Sequence, residues 1–162
     1  MTLDTTALPA VGQPAPDFSA PSTEGRDIGL HEFLGKQALV LYFYPRDDTP
    51  GCTREACAFS DLRAKFHAAR VEILGVSTDS LRSHQKFQEK YGLSFPLLAD
   101  TEHTLADRYG VWQQRTFMGR AHMGVARTTF VIGKDGLIKA VFPDVKVEGH
   151  ADEVLAAAQS DA

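Results

Sequence analysis

The chain has 162 residues, 43% of them hydrophobic and 23% charged, with a net charge of −4. That size and apolar content suit one ordinary domain whose core needs no staple or metal to hold it. The acidic balance and the lack of any Lys/Arg run argue against nucleic acid, and the longest apolar run, residues 38–44, is far too short to cross a bilayer. Residues 1–10 have neither a basic start nor an apolar stretch, so no secretory signal is read there, and the expected location is the cytoplasm. The whole chain, 1–162, is read as a single domain with residues 1–12 as a loose leader.

In chain order, residues 15–20 form a candidate edge strand bounded by Pro14, Pro16 and Pro21. Residues 30–34 read as one helical turn. Residues 37–44 (QALVLYFY) are apolar almost throughout and predict a central strand covered on both faces. A helix begins inside the following loop, with Thr49 as N-cap and Pro50 at the first helical position, where its missing N–H costs nothing. Phe59, Leu62 and Phe66 recur on one face of it, and Cys52, seven residues before Phe59, shares that face. Residues 71–77 predict a second buried strand, 80–91 a helix ended by Gly92, 95–98 a short strand and 104–109 a short helix. Residues 112–124 show no period and are expected to be a surface loop. A hairpin is expected from 127–132 and 137–142 around Gly133-Lys134-Asp135-Gly136, then a helix over 148–158. This order predicts an α/β fold, a central mixed β-sheet flanked by helices on both faces.

Two cysteines in a chain of this length make no disulfide scaffold. Cys52, however, stands in a setting that favours the reactive thiolate. It lies in the first turn of the predicted helix, where unpaired N–H groups and the dipole favour negative charge. Thr49 can donate its hydroxyl to the sulfur or to a substrate atom bound beside it. Arg46 or Arg127, brought near by the fold, can add a full positive charge, and Pro45 can shield the sulfur from water. Cys57 is five residues on, so helix geometry holds the two Cα atoms about 8.6 Å apart, beyond the ~7 Å reach of a disulfide. If the two pair, the first turns of the helix must unwind.

Blander roles exist for each of these residues. Cys57 alone reads as a small core residue, Thr49 as a cap only, Arg127 as a solvated strand-end charge, Glu55 as an exposed partner for an arginine, and Arg46 and Asp48 as loop surface. The histidines, His31, His67, His84, His103, His122 and His150, are scattered, with none in metal spacing with a cysteine or carboxylate. Gly51 stands alone rather than in a phosphate-binding loop.

The stretch YFYPRDDTPGCTREACAFSD resembles the peroxiredoxins, and within them the bacterioferritin comigratory protein (Q-type) subfamily. Pro45, Thr49 and Cys52 match the family's Pro-x-x-x-Thr/Ser-x-x-Cys pattern. Cys57 matches the subfamily's second cysteine, Glu55 its glutamate, and Arg127-Thr128-Thr129-Phe130 the segment carrying the active-site arginine. The similarity runs over about residues 12–155. It implies a thioredoxin-like fold and reduction of hydrogen peroxide and organic hydroperoxides without metal, haem or other cofactor. It further implies Cys52 as peroxidatic and Cys57 as resolving cysteine, an intramolecular disulfide recycled by thioredoxin or a similar dithiol, and a part in antioxidant defence and redox homeostasis. With the resolving cysteine in the same chain, a monomer is expected. The competing readings are a peroxide-sensing redox switch and a thiol–disulfide oxidoreductase; the C-x-x-C spacing that would favour the latter is absent.

Overall fold

The computed structural model describes residues 3–160. Its spine is β3 (Ala38–Phe43), and every residue of β3 from Leu39 onward is buried. Alternation sends Leu39, Leu41 and Phe43 to one face and Val40 and Tyr42 to the other, so one strand seeds two cores. β3 pairs in parallel with β4 (Val71–Ser77), which pairs in parallel with β5 (Leu97–Ala99). On its other side β3 pairs antiparallel with β8 (Thr128–Ile132), which pairs antiparallel with β9 (Ile138–Phe142). The result is the mixed five-stranded sheet β5-β4-β3-β8-β9.

One face of the sheet is covered by α1 (Pro50–Asp61), α2 (Arg63–Ala68), α3 (Leu81–Tyr91) and α5 (His150–Gln159). They bury Ala56, Phe59, Phe66, Phe87, Val154 and Leu155 against Val40, Tyr42 and Val131. The other face carries α4 (Thr104–Arg108) and the small hairpin of β1 (Ser19–Pro21) and β2 (Asp27–Gly29), which supply Leu105, Ala106, Ala20 and Ile28. Helical cover thus lies on both faces, unequally.

Local signals explain several boundaries. Ser80 caps α3 by accepting the Ser83 N–H at 3.1 Å, and Gly92 ends that helix in the left-handed region at φ 61°. Gly75 faces Tyr42 across the β3–β4 ladder; a Cβ there would come within 2.9 Å of the Tyr42 ring, so only glycine leaves room for it.

Four expectations change. Residues 112–124 are no loop: β6 (Trp112–Phe117) and β7 (Arg120–Val125) form an antiparallel hairpin in register from Trp112↔Val125 to Phe117↔Arg120. Its two-residue turn, Met118-Gly119, has positive φ at both positions, matching the twist of a tight hairpin. Much of β7 is exposed, so no apolar alternation marked it. The edge strand expected over 15–20 is confined to β1, and its partner β2 had no signal. The helix carrying Phe59, Leu62 and Phe66 is broken at Leu62 (φ −95°, ψ 1°) into α1 and α2. Finally, the segment expected as a loose leader is tied down within the described residues. Thr5–Ala7 is a 3₁₀ turn capped by Asp4, the Asp4 N–H donates to Gln113 Oε1 at 2.8 Å, and the Gly12 N–H donates to the Ile138 carbonyl at 2.9 Å. Met1 and Thr2 of that segment lie outside the described residues.

Candidate active site

β3 delivers the chain to the edge of the sheet, and residues 44–49 turn it into α1. The same end of β3 pairs with the start of β8 through Phe43↔Thr128, which sets Arg127 beside the beginning of α1. Sites at the carboxyl ends of central strands arise in this way from topology.

Cys52 is the third residue of α1 and only 1% exposed. The first N–H groups of a helix have no intrahelical acceptor, so its thiol sits where the backbone favours negative charge. Arg127 Nη2 donates to Cys52 Sγ at 3.2 Å, while Arg127 Nη1 donates to Glu55 Oε1 at 2.7 Å. One guanidinium thus bridges sulfur and carboxylate. Of the two arginines the sequence offered, the fold selects Arg127; Arg46 is exposed. Gly51 contributes room, since a Cβ there would come within 3.3 Å of Arg127 Nη2. A hydrogen bond from the Val145 N–H to the Arg127 carbonyl holds that backbone from the far side.

Glu55 corrects its expected place on an exposed helix face: it is 1% exposed and points inward. Burial pushes its carboxyl up to about 7, against the opposing pull of Arg127. Burial opposes charge on Arg127 too, yet Glu55 and Cys52 together raise its guanidinium above the ordinary value. Glu55 Oε2 and the Tyr42 hydroxyl are buried with no hydrogen-bond partner among the described residues. The Tyr42 hydroxyl is pushed well up, chiefly by burial and then by Glu55.

Thr49 holds the N-cap position with extended backbone, but its hydroxyl does not cap the helix. It donates instead to the Arg46 carbonyl at 2.9 Å, which leaves its oxygen lone pairs free to accept. Pro45 is exposed and lines the mouth of a cleft of about 570 Å³ together with Arg46, Trp112, Arg115, Met123 and Arg127. The β6–β7 hairpin, invisible in the sequence, builds one wall of this cleft. Cys57 lies on α1 half-buried, and both cysteines are free thiols. Burial, reinforced by Asp61, raises the Cys57 thiol above the ordinary value.

Two buried histidines were not legible. His150, 2% exposed, opens α5 with Nε2 2.8 Å from Thr129 Oγ1 and its ring edge-on to Phe59. Burial and the Arg127 charge lower it to about 4. His84, which has no metal spacing in the sequence, is brought by the fold to Asp47 and Asp79, their ligand-type atoms lying inside 4.8 Å of one another. The polar atoms of these three residues are joined by hydrogen bonds to one another and to neighbouring groups.

The arrangement supplies a sulfur at a helix start, a cation that bridges it to a carboxylate, and a cleft lined in part by that same cation. Comparison with known proteins places the chain in a family. The AhpC/TSA family model matches residues 11–141. A putative peroxiredoxin Bcp from Coxiella burnetii is 48% identical over 145 residues, covering 90% of this chain and 95% of that protein. Peroxiredoxin Bcp from Bacillus subtilis is 44% identical, covering 90% and 92%. In structure the chain is similar to the Xanthomonas campestris bacterioferritin comigratory protein, studied for alkyl peroxide reduction, with TM-score 0.86, 35% identity and coverage of 96% and 98%. The fold is the thioredoxin-like one of those relatives, and the chain belongs to the AhpC/TSA family as a peroxiredoxin, a thiol-dependent peroxidase of the bacterioferritin comigratory protein type.

Proposed function

We propose that Cys52 is the peroxidatic and Cys57 the resolving cysteine of a monomeric, cytoplasmic peroxidase recycled by thioredoxin or a similar dithiol. The observation that carries the reading is the Arg127 Nη2–Cys52 Sγ contact of 3.2 Å at the first turn of α1. The Cys52 thiolate attacks one oxygen of the hydroperoxide. The O–O bond breaks, the sulfur is oxidised to sulfenic acid, and the other oxygen leaves as water or alcohol after taking a proton. Arg127 and the free N–H groups at the helix start stabilise the charge growing on the oxygens. The Thr49 lone pairs accept from the peroxide OH and orient it, and Pro45 shapes the mouth. Glu55 holds Arg127 in its bridging position.

The Cys57 thiol then displaces hydroxide from the sulfenic sulfur, forming the Cys52–Cys57 disulfide and water. A dithiol protein reduces that disulfide by exchange and is itself oxidised. Two thiols in one chain support the monomer, and a cycle that needs a reduced dithiol partner suits a reducing compartment. No helix of the described residues is long and apolar enough to cross a membrane.

The test is peroxide-dependent NADPH oxidation with thioredoxin and thioredoxin reductase. Cys52→Ser should abolish turnover. Cys57→Ser should consume about one equivalent of peroxide and then stall. Residual turnover in Cys52→Ser above a few per cent of wild type, or normal recycling in Cys57→Ser, would overturn the assignment.

A further inference from the structure

The loop between β3 and α1 carries Pro45 and Thr49, but its fixed point is Asp47, midway between them. Asp47 is buried in a loop of otherwise exposed neighbours, Arg46 and Asp48. Its carboxylate accepts from the Tyr44 hydroxyl at 2.6 Å, from the Ser83 hydroxyl at 2.8 Å and from His84 Nδ1 at 2.7 Å. Its backbone N–H donates to Asp79 Oδ2 at 2.8 Å, and the Ser77 hydroxyl donates to the same oxygen.

His84 is fully buried, and its other nitrogen, Nε2, lies 2.8 Å from the Leu98 carbonyl. A carbonyl only accepts, so Nε2 carries hydrogen. Nδ1 faces a carboxylate, so a second proton lies between them. The groups facing the ring are the carboxylates of Asp47 and Asp79, the Tyr44 hydroxyl at 3.4 Å with the Tyr44 ring, and the Leu98 carbonyl. Among the described residues no Lys or Arg pairs with Asp47. The ring thus joins β5, through Leu98, to α3 and the loop.

We propose that His84 is a positioning residue for peroxide reduction: by holding Asp47 it fixes the Pro45-to-Thr49 loop and the start of α1 against the incoming peroxide. This rests on Cys52 being the attacking thiol. The clamp is separate from the groups that support the sulfur's charge. Arg127 enters from β8 and is held by Glu55 and the Val145 N–H, none of which touches His84. Loss of the clamp should thus spare the thiolate and misplace the donors and acceptors that orient the O–O bond. Misplacement on the ångström scale costs up to about 100-fold in rate.

Two rates on the reduced protein separate these effects: Cys52 oxidation by hydrogen peroxide, read by rapid quench and mass spectrometry, and Cys52 alkylation by iodoacetamide, which needs only an accessible thiolate. His84→Ala and Asp47→Ala should each slow oxidation roughly 10- to 100-fold and change alkylation less than about threefold. Asp47→Asn should restore oxidation to within about threefold of wild type, because its amide still accepts from Tyr44 and donates to a neutral His84 ring. Unchanged oxidation in His84→Ala or Asp47→Ala would overturn the proposal, and so would a parallel fall of both rates. Asp47→Ala leaves the α3 core intact and carries the test if His84→Ala does not fold. Failure of the underlying reading is distinct: Cys52→Ser would then still consume peroxide.

Discussion

Arg127 does two jobs with one guanidinium, and its two contacts make separable demands. The bond to Cys52 supplies charge to the sulfur, while the bond to Glu55 keeps the group from swinging away. Arg127→Ala should slow both alkylation and peroxide oxidation of Cys52 by about 100-fold, since a donor to developing charge in a buried site is worth that much. Arg127→Lys should recover only part, because a point charge cannot span both partners. Unchanged alkylation in Arg127→Ala would make the arginine structural only. At this scale the sequence pointed to Cys52 and Thr49 as candidates because loop, cap and cysteine are local to one another. It left Arg46 and Arg127 equivalent until a family resemblance separated them, because no local rule says which distant strand end meets a helix start. The burial of Glu55, Asp47 and His84 was hidden for a general reason. Charged residues are read as surface unless their partners are known, and most of those partners are distant in the chain, 32 positions for Asp47 with Asp79 and 72 for Glu55 with Arg127.

The element that must change during the proposed cycle is α1. Helix geometry separates Cα atoms five residues apart by about 8.6 Å, so disulfide formation requires its first turns to open. Phe59 lies in the same helix, stacked on Tyr42 at 4.7 Å and edge-on to His150 at 5.9 Å, so opening α1 also strips or shifts that packing. β4 is held on both sides by neighbouring strands and stays put. Amide hydrogen exchange should show protection falling over residues 50–60 on oxidation and constant over Val71–Ser77. Equal protection of residues 50–60 in both states would exclude an intramolecular bond. The strands and helices that the sequence disclosed are those with strong apolar period or clean caps, such as β3 and α3. The β6–β7 hairpin was missed because its exposure removes the period, and the short β2 because three residues carry too little signal.

Across the whole molecule, two buried groups tie stability to pH in opposite directions. Glu55 keeps its proton to about pH 7 when folded, against an ordinary value of 4.5, so its contribution to stability is lost as pH rises through that interval. His150 refuses a proton down to about pH 4 against 6.5, so its contribution is lost as pH falls from 6.5 to 4. Between about pH 4.5 and 6.5 folding in effect moves a proton from one to the other, and the two slopes offset. Each shift is worth at most about 3 kcal/mol. His150→Gln should therefore uncover a stability that falls with rising pH, and Glu55→Gln one that rises with pH, in urea titrations over that range. Identical pH slopes in all three proteins would contradict the assignment of either shift.

The most direct test of the central claim is the covalent state of the two sulfurs after one turnover. Reduced protein treated with one equivalent of hydrogen peroxide, without reductant, is digested and mapped by mass spectrometry. The account predicts a disulfide joining the Cys52 and Cys57 peptides within a monomer, and sulfenic acid trapped at Cys52 alone in Cys57→Ser. Oxidation first appearing at Cys57, or a disulfide found only between chains, would contradict it.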